Sequence, residues 1–158
     1  MRARTNARLA AVQGLYQMEA GGAGVESVID DFRDHEIGAT IDGRPLHEAD
    51  IDYFAEVVRG VIRLQAKIDP LIERRLKAPW TLHRLDATAR GILRAAAYEL
   101  IHRADFPARV VINEYLEIAK AFFGDDDPKF INAVLDAMAR ETRSGEFESD
   151  RLGRAGRP

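Results

Sequence analysis

The sequence predicts an all-α protein, seven helices arranged as two small packed bundles. Apolar residues recur at three- and four-residue intervals through most of the chain. No stretch shows the sustained alternation of apolar and polar residues that a half-buried strand requires. Breaker clusters punctuate the periodic stretches, above all Gly21-Gly22-Ala23-Gly24 and Lys77-Ala78-Pro79-Trp80-Thr81.

The first helix is expected over residues 4–19, with Leu9, Val12 and Tyr16 on one stripe and Ala11, Leu15 and Met18 beside it. The glycine run ends it. A short helix comes next, carrying Val25, Val28, Ile29 and Phe32 at i, i+3, i+4 and i+7. Glycines and Pro45 mark residues 35–46 as a loop. The third helix, about 48–66, places Ile51, Phe54, Ala55, Val58 and Ile62 on one face. Asp69-Pro70 has the form of an N-cap followed by proline at the first helical position, starting a fourth helix that runs through Leu76. Residues 77–82 then form the seam between the two halves.

Beyond the seam, Leu85, Ala89, Ile92, Leu93, Ala96 and Leu100 give the cleanest stripe in the chain. Pro107 opens the sixth helix, whose inner face is Ile112, Tyr115, Leu116, Ala119, Phe122 and Phe123. Ile131, Val134, Leu135 and Met138 make the seventh. Residues 1–143 are therefore expected to form one domain. From 144 to 158 periodicity is lost, and the composition is that of a disordered tail.

The 158 residues suffice to bury a substantial core. The net charge of −3 gives no global signature of nucleic-acid binding, so any basic surface must be local. The absence of cysteine removes disulfides, zinc–thiolate sites and thiol nucleophiles together. The basic start MRARTNARL is not followed by a signal-type apolar segment, and no apolar run is long enough to span a membrane. A cytoplasmic protein is expected.

No two of His35, His47, His83 and His102 lie three or four residues apart, so a helical metal pair is not expected. Phosphate-binding and nucleophile-elbow motifs do not occur either, and no cofactor, metal or catalytic residue is expected. Asp125, Asp126 and Asp127 are consecutive, which does not suit the alternating ligands of a calcium loop. Asp127-Pro128 matches a helix N-cap, and Asp125 and Asp126 add negative charge near the positive helix end. One acid suffices for a cap; the surplus makes an anionic spot suited to a basic partner. Arg2, Arg4 and Arg8 precede the first acid, Glu19. Arg4 and Arg8 share a helix face, where positive charge at the N-terminal end opposes the dipole.

Three stretches, ARLAAVQGLYQME (7–19), GILRAAAYEL (91–100) and PARVVINEYLEIAKAFFGDDDPKFINAVLD (107–136), resemble the NusB family of bacterial antitermination factors. The resemblance runs from residue 4 to about 140. It implies a seven-helix, non-enzymatic RNA-binding fold. It also implies pairing with NusE (ribosomal protein S ten), recognition of single-stranded boxA RNA in ribosomal RNA leaders, and assembly on RNA polymerase with other Nus factors. Carried over residue by residue, the RNA surface would include Arg2, Arg4, Arg8, Gln13, Tyr16, Phe122, Lys129 and Phe130. The NusE-facing surface would include Asp126 with Asp125 and Asp127. A second acidic family position falls on Ala89, a departure from the family pattern, and Asp86 is the nearest substitute. Arg94 with Glu99 is expected as a supporting ion pair, and Asn113, Glu114 and Asn132 as ties between helix ends.

The same resemblance admits two other readings. One is a NusB-like domain serving ribosomal RNA methylation or maturation, although a catalytic part does not follow residue 143. The other is a self-associating helical module, a homodimer that buries the RNA-facing surface.

Overall fold

A computed structural model describes residues 2–35, 40–41, 44–45, 50–124 and 129–148. Helix α1 spans Arg2–Gly21, α2 Val25–His35, α3 Ile51–Arg63, α4 Gln65–Glu73, α5 Ala87–His102, α6 Ala108–Phe123 and α7 Lys129–Thr142. A single 3-10 turn, Leu82–Arg84, precedes α5. Within the expected loop, Thr40–Ile41 (β1) and Arg44–Pro45 (β2) pair antiparallel, Thr40 opposite Pro45.

Helices α1, α2 and α3 pack on one another, α4, α6 and α7 gather around α5, and α5 also lies against α1 and α3. The spatial division thus falls at Leu64, ahead of the seam expected at 77–82, because α4 sides with the second bundle. The fully buried side chains include Phe54, Ile68, Ile92, Leu93, Tyr98, Leu100, Tyr115, Ile131 and Leu135. Gly60 is required where α3 meets α5, since a Cβ there would lie 2.0 Å from the Tyr98 ring. Gly124, at φ +74°, ends α6 in a backbone conformation that side chains disfavour.

Three further expectations change. Asp69 does not cap a helix: α4 starts at Gln65 and carries Pro70 in its interior. Asp69 is used across the fold, accepting from Arg94 Nε at 2.9 Å and Nη2 at 3.0 Å. Ile62 is exposed, and Tyr53, Val57 and Val61 turn inward with Phe54 and Val58. Residues 144–148, assigned to the tail, are helical, and Phe147 is half-buried against the core; 149–158 lie outside the described residues.

Candidate nucleic-acid and partner interface

Arg8, predicted to reach RNA, is 2% exposed. Its Nε donates to Glu99 Oε2 at 2.9 Å and its Nη2 to Oε1 at 2.9 Å, while Nη1 donates to Glu114 Oε1 at 2.9 Å. Tyr53 donates its hydroxyl to Glu99 Oε1 at 2.5 Å, and Tyr115 donates to Oε2. Burial opposes charge on Arg8, but its hydrogen bonds to Glu99 and the charge of that carboxylate outweigh it and raise the guanidinium pKa. Burial, and then the Glu99 charge, push both tyrosines well above their ordinary value. Arg8 is therefore an internal anchor with no donor turned toward a phosphate. The position was legible in principle: Arg8 precedes Ala11, Val12 and Leu15 by three, four and seven residues, on the stripe that α1 buries.

Arg4, one turn earlier, behaves differently. Its side chain is 44% exposed and only 3.8 Å from Asp50. Its guanidinium lies 5.2 Å from the Tyr53 ring centroid and 5.1 Å from that of Phe106, in cation–π range. Arg103 completes this corner, 4.8 Å from the Phe106 centroid and bonded to Glu56 and Asp105. The side chain of Arg2 lies outside the described residues. Tyr16 is exposed at 40% and Gln13 is half-buried, both on α1.

Lys129 and Phe130, at the start of α7, line a groove of about 660 Å³ with Trp80, Arg84, Asp86, Phe123 and the aliphatic wall of Ala89 and Val134. Trp80 is 56% exposed and Phe130 40%. Among the described residues, the side chains of Lys77 and Lys129, both on the groove, make no hydrogen bond or ion pair. Phe122 is half-buried against the core and does not line the groove; Phe123 takes that place, because one residue along a helix turns the side chain by about 100°. Periodicity marks Trp80 only as part of a break. The signal that could have found it is the chain's one tryptophan set between Lys77 and Arg84 in a turn.

Asp86 is the N-cap of α5, its Oδ2 accepting from Thr88 N at 2.9 Å and Ala89 N at 3.3 Å. Its carboxylate is exposed on the groove rim, whereas Ala89 is buried. Asp125, Asp126 and Asp127, with the Asp127 cap, lie outside the described residues. The expected Arg94–Glu99 pair does not form: Arg94 pairs with Asp69 and with Glu19 at 2.9 Å. Glu114 ties α6 to α1 as expected, also accepting from Thr5 at 2.9 Å, while Asn113 and Asn132 are exposed. No cluster of metal-ligating side chains and no helix able to cross a membrane occur among the described residues.

These elements define an all-helical protein of two bundles that exposes an arginine corner at one place and a cationic, aromatic groove at another. The NusB family model matches residues 5–140, and the chain belongs to that family. It is 56% identical to the transcription antitermination protein NusB of Caulobacter vibrioides, over 89% of this chain and 94% of that one. It is 51% identical to the protein of the same name from Sinorhizobium fredii, over 89% and 88%. Among solved structures, NusB of T. maritima matches with a TM-score of 0.73 at 31% identity, covering 92% of this chain and 96% of that one. A NusB solved with NusE and double-stranded RNA matches with a TM-score of 0.72 at 25% identity, covering 89% and 98%.

Proposed function

We propose that this chain is an antitermination factor that binds boxA RNA of ribosomal RNA leaders together with NusE, in the cytoplasm, and so supports processive transcription and maturation of ribosomal RNA. The observation that carries the reading is the groove: two lysines without acid partners beside two exposed rings, on a chain that folds like a NusB solved with NusE and RNA. Unpaired bases stack on exposed aromatic faces while cations hold the phosphates, the division of labour single-stranded RNA requires. In this reading Trp80 and Phe130 supply stacking faces and Lys129, Lys77 and Arg4 supply charge. Tyr16 and Gln13 extend the surface along α1. Asp86 and the Asp125–Asp127 run supply negative charge toward basic NusE.

The test is fluorescence anisotropy of a boxA-like RNA and a scrambled control, with and without NusE, at two salt concentrations. The expected result is a preference for boxA that sharpens when NusE is added. Equal binding of both RNAs, unaffected by NusE, would overturn the reading.

A further inference from the structure

We infer that Glu73 and Arg90, two side chains outside the groove, are positioning residues that fix the turn carrying Trp80 and so set how well that ring receives an RNA base. The inference rests on the RNA-binding reading above and assigns two further residues to it. Residues 77–81, the stretch that presents Trp80, are exposed throughout, so little packing holds them. Their backbone is closed by Trp80 N, which donates to the Lys77 carbonyl at 2.9 Å. Beyond the stretch Leu82 and Leu85 return to the core, at 3% and 7% exposure. The place of Trp80 is therefore decided by how firmly residues 82–85 are fixed.

Two side chains fix them. Glu73, at the end of α4, accepts from Leu82 N at 2.9 Å through Oε2. Arg90, one turn into α5, turns Nη1 back on the carbonyl oxygens of Leu85 at 2.7 Å and Leu82 at 3.0 Å. Its other edge is braced, Nε and Nη2 donating to the two oxygens of Glu19 on α1 at 2.8 and 2.6 Å. The guanidinium is thus a rigid fork between α1 and the turn, a geometry an ammonium cannot reproduce. Among the described residues, Lys77, Trp80, Arg84, Leu85 and Asp86 of this region line the groove, and neither Glu73 nor Arg90 does. Arg90 lies instead with His83 on a separate cavity of about 320 Å³. Arg84 adds a tie to the Pro79 carbonyl at 3.1 Å but lines the groove itself, so its removal would mix two roles. A ring stacks on a base at full value when its backbone is already in place, because ordering a loose side chain on binding costs affinity. The ligand class is an unpaired base of single-stranded RNA.

Trp80 is the chain's one tryptophan, so its fluorescence reports this turn alone. The test compares the full chain with Glu73→Ala, Glu73→Gln and Arg90→Lys, each also combined with Trp80→Ala for RNA binding. Glu73→Gln keeps an oxygen for Leu82 N, and Arg90→Lys keeps the charge opposite Glu19 but loses the fork. Time-resolved anisotropy of Trp80 in the protein without NusE is expected to show a more mobile ring in Glu73→Ala and Arg90→Lys, and unaltered mobility in Glu73→Gln. At saturating NusE, affinity for a boxA-like RNA should fall about 2- to 10-fold in the first two, the cost of ordering one side chain on binding. The log–log salt slope should stay unchanged, since no phosphate contact is lost. In the Trp80→Ala background the same substitutions should cost nothing further, which a general loss of structure would not give. Unchanged Trp80 mobility, unchanged RNA affinity, or a loss of affinity that persists without Trp80 overturns the positioning role and leaves the function standing. If Trp80→Ala itself binds RNA like the full chain, the groove reading falls and the positioning role with it.

Discussion

The Glu99 knot and the Trp80 groove use the same residue types to opposite ends. Each brings cationic side chains to aromatic rings. In the knot, one carboxylate takes the donors of Arg8, Tyr53 and Tyr115, and the assembly is sealed between α1, α3, α5 and α6. In the groove, Lys77 and Lys129 have no acid to answer them among the described residues, and Trp80 and Phe130 face outward. Chemical type alone therefore does not separate architecture from binding. What separates them is whether the polar capacity is consumed inside the fold.

The largest effect expected comes from breaking the knot. Glu99→Ala leaves Arg8 buried with Glu114 as its remaining acid and takes the acceptor from Tyr53 and Tyr115, and a loss of about 3–5 kcal/mol is expected in urea denaturation, a large share of the stability of a domain. A change under about 1 kcal/mol would show that the pair is not sealed. Next, Trp80→Ala should leave stability within about 0.5 kcal/mol but weaken RNA or NusE by about 1–3 kcal/mol, as removal of a stacking ring does. Unchanged binding of both would reduce the groove to a surface feature. A smaller effect is expected for Lys77→Gln with Lys129→Gln: a salt slope for RNA shallower by about 0.7 for each lysine–phosphate pair removed, with no change in melting.

Acid gives the smallest and broadest difference. Glu19, Glu141 and Glu146 are held below the ordinary value of 4.5, Glu141 at about 2 by hydrogen bonds from Arg74 and Arg75. Each bound carboxylate contributes stability that is fully present above the unfolded pKa and is lost as pH falls through the folded one. Melting temperature should therefore decline from about pH 4.5 toward pH 2, and Glu141→Gln should flatten that decline. The same substitution frees Arg75, which lines the groove, so RNA binding should hold or rise while acid sensitivity falls. A steeper acid decline in the variant would contradict the pairing.

Much of the fold was legible because helical periodicity is a local signal. Val28, Ile29 and Phe32, or Ile92, Leu93 and Leu100, declare their faces within two or three turns. The misreadings arose where a residue's partner is distant in sequence. Asp69 beside Pro70 has the local form of a cap, and only Arg94, 25 residues on, shows that it is an ion-pair acid. Arg8 reads as surface charge until Glu99 is placed over it. The helical start of the tail is invisible to periodicity, because Arg143 and Glu146 bond to carbonyls and an amide that any sequence provides. Trp80 belongs to a turn, where pattern carries no information about which wall of a groove a ring will form.

The separation of Arg8 and Glu99 by 91 residues also orders events during synthesis. At about 5–20 residues per second, the ribosome makes the anchor of the first helix roughly 5–18 s before it makes the carboxylate that receives it. Until then Arg8 lacks the carboxylate that holds it in the core. The first helix made is thus locked only once α5 has emerged, and Arg8 stays in water until then.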